Sequence, residues 1–175
     1  MTHPTQSIAV DANVLINLLI THRLELFSRL PGFAYVVPDH VHQEITTPEQ
    51  RAALDLALKA DRFRTVSITQ LNDIAFFAEL TAYLGRGEAA CLVLAVRNGW
   101  NIASDEKRRF RREAIRRIGS ERILGTADLY VRAIRAGLIT VEAADADKEI
   151  LASRCFTMPF GSFRDRIPFT EEPGS

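Results

Sequence analysis

The sequence has few cysteines, no charge imbalance and no long apolar run, and each absence argues against a class of protein. Its two cysteines, Cys91 and Cys155, lie far apart and in no CxxC pattern. We therefore expect two free thiols in a reducing compartment rather than a disulfide or a zinc site. Lysines plus arginines and aspartates plus glutamates number 22 each. This balance disfavours a generally basic nucleic-acid coat protein but leaves room for a local basic patch.

Signals for export and membrane insertion are also missing. No apolar run approaches the roughly 18 residues that span a bilayer. The first residues lack a basic region followed by an apolar region and a cleavage site. We therefore expect a cytoplasmic protein without membrane contact. The length favours one domain, predicted at residues 1–155, with a C-terminal tail at residues 156–175 that shows no clear period.

Short apolar segments alternate with longer helical ones, which predicts an α/β fold with a central, mainly parallel sheet between two helical layers. Strands are expected at residues 7–10, 34–37, 63–68, 100–103 and 122–124. Helices are expected at residues 14–20, 39–45, 47–60, 71–83, 88–97, 106–118 and 126–136, with a last helix from about residue 143.

Four carboxylates lie where this architecture converges. Asp11 and Asp105 directly follow predicted strands, Glu44 lies in the short helix after the second strand, and Glu88 begins a nearly all-apolar helix. The carboxyl ends of parallel strands share one edge of the sheet, and ligands bind there at the switch in strand order. Clustered carboxylates repel one another unless a cation lies between them, and Mg²⁺ or Mn²⁺ prefers oxygen ligands.

Such a pocket suits phosphodiester hydrolysis. Two ions roughly 4 Å apart can activate a water and stabilise the leaving oxygen, and Asn13 can orient a metal-bound water. Three of the acids also have a simpler explanation: Glu88 favours a helix dipole, Asp105 can cap a helix, and Glu44 can be a surface charge. Asp11, directly after a buried strand, is harder to explain in this way. The hypothesis depends on the four acids together.

Four segments resemble the PIN-domain nucleases, which include the VapC-type toxins. IAVDANVLINLL is similar to the first strand and acid of the family, VVPDHVHQEI to the second acidic block, and GRGEAACLVLAVRNG to a variant of the third. NIASDEKRRFRREA and RILGTADLYVRAIRAGLI are similar to the fourth block and the segment after it. The resemblance covers roughly residues 7–142 and implies a PIN-like α/β/α domain. It implies catalytic roles for Asp11, Glu44, Glu88 and Asp105, with Asp11, Glu88 and Asp105 as metal ligands and Asn13, Ser104, Glu106 and Asp128 in support.

The chain departs from the family pattern at one position. Many relatives place threonine two residues before the fourth acid, where this chain has Ala103, so we expect the adjacent Ser104 to supply the hydroxyl. Asp128 is either a further acid of the site or a helix-start charge. The resemblance implies a ribonuclease dependent on Mg²⁺ or Mn²⁺, a small antitoxin partner and a homodimer.

A basic stripe follows Asp105. It comprises Lys107, Arg108, Arg109, Arg111, Arg112, Arg116 and Arg117. Beside an acidic site it can hold an RNA backbone, and Lys107 and Arg108 are the first RNA-binding candidates. The alternatives are a solvated helix face paired to acids and a docking surface for an acidic antitoxin segment.

Other functions are compatible with parts of the sequence. A catalytically weak PIN-fold module that binds RNA or protein is the main alternative to the enzyme. A phosphoaspartyl receiver domain would need lysine and threonine partners in later strands, and this chain lacks that arrangement. The pattern Gly85-x-Gly87-x-x-Ala90 resembles a dinucleotide fingerprint, but it follows a helix, and Glu88 would face the pyrophosphate.

Overall fold

Five short strands form one parallel sheet within residues 5–167, the part of the chain that this computed structural model describes. The strands are β1 (Gln6–Val10), β2 (Phe33–Pro38), β3 (Arg64–Val66), β4 (Asn101–Ala103) and β5 (Ile123–Leu124). Their order in space is β3-β2-β1-β4-β5, and every pairing is parallel. The chain builds outwards from β1 to β3 and then returns to place β4 on the other side of β1. The switch in strand order therefore lies between β1 and β4.

Helices connect the strands and cover the sheet. They are α1 (Ala12–Ile20), α2 (Leu24–Ser28), α3 (Asp39–Glu44), α4 (Pro48–Lys59), α5 (Leu71–Thr81), α6 (Arg86–Asn98), α7 (Arg109–Ile118), α8 (Thr126–Arg135) and α9 (Val141–Ser153). Helix α6 packs against β1, β2 and β4, and its nearly all-apolar sequence is buried over most of its length. The predicted three-layer α/β/α architecture is confirmed. Among residues 5–167, no helix combines the length and apolarity that crossing a membrane requires.

The middle of the sheet is the centre of the core. Ile8, Ala9 and Val10 of β1 have no exposed surface, as expected for a strand with a neighbour on each side and helices on both faces. Phe27 and Phe110 bring aromatic rings into the same core from α2 and α7. The sheet therefore fixes its carboxyl edge rigidly.

Two helices differ from the sequence prediction. Helix α2 was not predicted because only Leu24 and Phe27 of its five residues turn inward, which is too few to show a helical period. Helix α7 begins at Arg109 instead of residue 106. The Glu106 carboxylate accepts hydrogen bonds from the backbone N–H groups of Lys107 and Arg108, both at 3.0 Å, and so holds residues 105–108 as a loop.

Residues 156–167 of the predicted tail pack against the helices that precede them. Phe163 is fully buried and stacks on Tyr130 of α8, with the ring centroids 5.4 Å apart. Asp145 of α9 accepts hydrogen bonds from the Ser162 hydroxyl at 2.6 Å and from the Phe163 N–H at 2.8 Å. Residues 1–4 and 168–175 lie outside the described residues, and the domain boundary at residue 155 stays a prediction.

A partly buried ion pair connects α9 to the rest of the domain. Asp147 is 3% exposed and accepts two hydrogen bonds from the Arg23 guanidinium, at 2.7 and 3.1 Å. The Tyr130 hydroxyl donates a third at 2.9 Å. This carboxylate links the turn after α1, helix α8 and helix α9.

Candidate active site

The ends of β1 and β4 bring two polar segments together at the switch point. The Asp11 N–H donates to the Ala103 carbonyl at 2.9 Å, which extends the pairing of the two strands by one residue. The Ser104 hydroxyl donates to Asp11 Oδ2 at 3.0 Å. The Asp105 N–H donates to Asn13 Oδ1 at 3.1 Å. The strands that precede Asp11 and Asp105 are therefore neighbours in the sheet.

Asp11 is a buried carboxylate beside other acids. It is 3% exposed and caps α1 by accepting a hydrogen bond from the Ala12 N–H at 2.9 Å. Burial raises the pKa of Asp11 to about 7, the bonds from Ser104 and Ala12 oppose this rise, and the charges of Glu88 and Glu44 add to it. Burial therefore disfavours the charged form of this side chain, and a cation beside it would favour that form.

Glu44 and Glu88 are held at the start of α6. Glu44 ends α3 and accepts a hydrogen bond from the Gly87 N–H at 2.8 Å. Glu88 accepts one from the Gly85 N–H at 2.9 Å, so it also caps the helix, as its simpler explanation predicts. Burial raises the pKa of Glu88, the bond from Gly85 lowers it, and Glu106 and Glu44 raise it further.

Gly87 leaves the space that the Glu44 carboxylate occupies. A Cβ atom at this position would lie 2.8 Å from Glu44 Oε2 and 2.9 Å from Oε1, closer than such contacts allow. The absent side chain lets the Glu44 carboxylate reach the backbone of α6.

Asp105 is held by neutral hydrogen-bond donors. Its carboxylate accepts bonds from the Thr126 N–H at 2.8 Å, the Thr126 hydroxyl at 2.5 Å and the Asn17 amide at 3.1 Å. Burial raises the pKa of Asp105, those three bonds lower it, and Asp128 raises it. Asp128 itself accepts from the Gly125 N–H at 2.8 Å and caps α8.

The predicted site residues therefore form two neighbouring groups. Asp11, Glu44 and Glu88 influence one another electrostatically, and Glu106 adds its charge to that of Glu88. Asp105 and Asp128 form the second group. Within residues 5–167, no three histidine, cysteine or acidic side chains are arranged to hold one metal ion together.

The donor set nonetheless fits a hard divalent cation. Its side chains offer only oxygen atoms, and a buried carboxylate with a raised pKa lies among other acids, so positive charge is what this edge lacks. Mg²⁺ keeps several of its waters and commonly uses one or two carboxylates instead of a closed protein cage. Direct contact with a few of these acids meets that requirement.

Asn17 and Thr126 were not among the predicted site residues. Asn17 is buried and also donates to the Thr126 hydroxyl at 3.1 Å. The available signal was a single amide in the otherwise apolar second half of α1, since buried polar side chains usually have a specific partner. Thr126 gave a weaker signal, as a threonine at a helix start.

Basic residues lie beside the acids. Lys107 and Arg108 are exposed on the loop between β4 and α7. A cleft of about 340 Å³ contains Glu88 and Glu106 together with Arg108, Arg109 and Arg112. A second cleft of about 550 Å³ contains Asn13, Asn17, Asp105, Glu106 and Lys107 and ends at Cys155–Thr157. The loop therefore lies between the two clefts.

The fold and this edge define an α/β protein with an acidic site at the switch point of a parallel sheet. A family model described as a PIN domain matches residues 7–157, and the chain belongs to the PIN-domain family. Membership confirms the family resemblance of the sequence blocks and indicates a nuclease-type function, since PIN domains are generally metal-dependent nucleases. No protein of curated function matches the chain.

Proposed function

We propose that this protein is a ribonuclease that hydrolyses RNA phosphodiester bonds with Mg²⁺ or Mn²⁺. The observation that carries the proposal is the environment of Asp11. It is a buried carboxylate with a pKa of about 7, raised by burial and by two further acids, at the switch point of a PIN-domain sheet. A nearby cation would stabilise the charged form of this side chain. Divalent cations with oxygen ligands commonly catalyse phosphodiester hydrolysis.

The roles of the site residues follow from their contacts. We assign Asp11, Glu88 and Asp105 to metal binding and Glu44 to the catalytic acids. Asp105 accepts three hydrogen bonds and a carboxylate has about four acceptor positions, so one remains for a cation or its water. When bound, the metal would polarise the phosphodiester and activate a water.

The supporting side chains hold this arrangement. Ser104 fixes the rotamer of Asp11, and its hydroxyl accepts from the Glu106 N–H at 3.2 Å. Asn13 uses its carbonyl for Asp105, which leaves its amide to orient a water. Asp128 fixes the start of α8, the helix whose first residue holds Asp105.

The test is cleavage of a single-stranded RNA with Mg²⁺, with Mn²⁺ and with a chelator. Asp11→Asn should lose about 100-fold or more in rate, since a neutral amide attracts no cation. Asp61→Asn is the matched control, because Asp61 is exposed before β3, at the opposite edge of the sheet, and its φ of 53° suits asparagine equally well. Metal-dependent cleavage that survives in Asp11→Asn would refute the proposal.

The same assay separates the enzyme from the binding module. RNA binding without cleavage by the wild-type chain in either metal would favour the catalytically weak alternative. A DNA strand of the same sequence tests the assignment of RNA as the substrate.

We further propose that the protein acts in the cytoplasm as the toxin of a pair with a small antitoxin, and as a homodimer. The resemblance to VapC-type toxins supports the toxin role, and the unpaired thiols of Cys91 and Cys155 support a reducing compartment. Leu71 and Ile74 of α5, 80% and 45% exposed, support a contact between two copies.

The toxin role and the homodimer each have a direct test. Growth arrest on expression of the wild-type chain but not of Asp11→Asn supports the toxin role, and unaffected growth contradicts it. Light scattering reports the oligomeric state, and Leu71→Glu should convert a dimer into a monomer if α5 forms the contact.

A further inference from the structure

The cleft between the start of α6 and the start of α7 holds charges of both signs. Its lining comprises Tyr83, Leu84, Glu88, Glu106, Arg108, Arg109, Phe110 and Arg112, and we call it the arginine cleft. Its volume of about 340 Å³ is at the lower end of pockets that hold small molecules, which leaves room for about one nucleotide.

The opposite charges in the arginine cleft are not paired with each other. Among residues 5–167, no salt bridge joins Glu88 or Glu106 to an arginine of the cleft. The carboxylates instead accept backbone N–H groups, Glu88 from Gly85 and Glu106 from the loop before α7. In the arginine cleft, the carboxylates and the guanidinium groups are therefore neighbours that form no salt bridge with each other.

Three arginines of α7 already have partners. Arg116 and Arg117 both bind Glu113, at 2.7 and 2.6 Å, and Arg109 donates to the Tyr83 carbonyl at 3.0 Å. Within the described residues, the guanidinium groups of Arg108 and Arg112 make no such bond. Of the three arginines that line the cleft, Arg109 is therefore already paired, whereas Arg108, just before α7, and Arg112 are available.

We infer that Arg108 and Arg112 bind the phosphate group that flanks the scissile phosphodiester of a single RNA strand. This rests on the proposed function, which places the scissile group at the acids. A guanidinium group matches two oxygens of a phosphate. The acids repel a phosphate that has no cation, so the flanking phosphate lies on the arginine side of the cleft.

The first test measures binding to a fluorescent single-stranded RNA at several salt concentrations with a chelator present, so that it does not depend on cleavage. Each lost phosphate contact lowers the slope of log affinity against log salt by about 0.7. Arg112→Ala and Arg108→Ala should each show that loss. Arg116→Ala is the matched control on the same helix, since its guanidinium is already paired, and its slope should be unchanged. Equal slopes for Arg112→Ala and Arg116→Ala would overturn the inference.

The second test places the bound phosphate relative to the cleaved bond. Oligonucleotides carry one neutral methylphosphonate on either side of the mapped cleavage position. Arg112→Ala should lose about tenfold in kcat/KM on the parent strand and nothing on the strand already neutral at the contacted position. An equal loss on all strands would overturn the assignment to a flanking phosphate. A wild-type protein that cleaves none of them refutes the proposed function, while the salt slopes still decide whether the arginine cleft binds phosphate.

Discussion

Replacing Asp11 with asparagine should stabilise the metal-free protein at neutral and alkaline pH while it removes activity. In the unfolded chain this carboxyl ionises near its ordinary pKa of 3.8, and in the folded protein only near 7. Between these values the folded state holds a proton that the unfolded state has released. The protonated Asp11 carboxyl therefore contributes to the free energy of unfolding at about pH 4, and this contribution is lost as the pH rises to about 7.

The size of the effect follows from the two pKa values. Each unit between them corresponds to about 1.4 kcal/mol, so the full window corresponds to about 4 kcal/mol. Relaxation of the protein around the charge reduces this, and we expect at least about 2 kcal/mol. Asparagine can still accept from the Ala12 N–H and donate to the Ser104 oxygen, so the local structure has a replacement for each bond.

The assay is denaturant unfolding at about pH 5 and about pH 8 with a chelator present. Wild type should lose stability over this range, and Asp11→Asn should lose less. The pKa values of Glu88 and Asp105 are also raised, but both proteins share that effect, so the difference isolates Asp11. Added Mg²⁺ should stabilise wild type at about pH 8 and not the variant. An asparagine variant that is less stable than wild type at about pH 8 would refute this account of the site.

Three further substitutions test individual contacts. Gly87→Ala should displace the Glu44 carboxylate and lower the cleavage rate about tenfold or more, measured with Gly161→Ala as a control that meets only ordinary contacts. Thr126→Val removes one donor to the half-buried Asp105 carboxylate and should cost about 1–3 kcal/mol of stability in denaturant unfolding; an unchanged midpoint would contradict it. Asp147→Ala leaves a partly exposed guanidinium and a buried hydroxyl unpaired and should cost about 2–4 kcal/mol, with normal cleavage by the folded fraction.

The sequence predicted the architecture well because the pattern is strong where burial is complete. All five strands and eight of the nine helices found in residues 5–167 were expected, and the apolar run of α6 matches a buried helix. The prediction of secondary structure was wrong where local polar contacts determine the backbone conformation. Residues 105–108 have helix-forming side chains, but the Glu106 carboxylate holds their backbone as a loop.

The sequence could predict that Asp11 and Asp105 lie at one edge of the sheet, but it could not predict how their side chains are oriented. Acids after strands had to meet at one edge, and Asp11 and Asp105 do follow neighbouring strands. The direction of the Asp105 side chain depends on Thr126 and Asn17, which are distant along the chain, and no local pattern encodes that contact. The separation of the acids into two groups therefore emerges only from the structure.

The two cysteines differ in exposure, so thiol labelling can report the separation of α6 from the sheet. Cys91 is fully buried in α6, where burial and the acids Asp11, Glu44 and Glu88 raise its pKa, while Cys155 is exposed at the rim of the second cleft. A thiol reagent should modify Cys155 at once and reach Cys91 only when α6 separates from the sheet. The slow phase of labelling therefore reports the rate at which α6 separates from the sheet edge that carries the acids. A dye on Cys155 reports whether the second cleft is occupied, without any engineered residue.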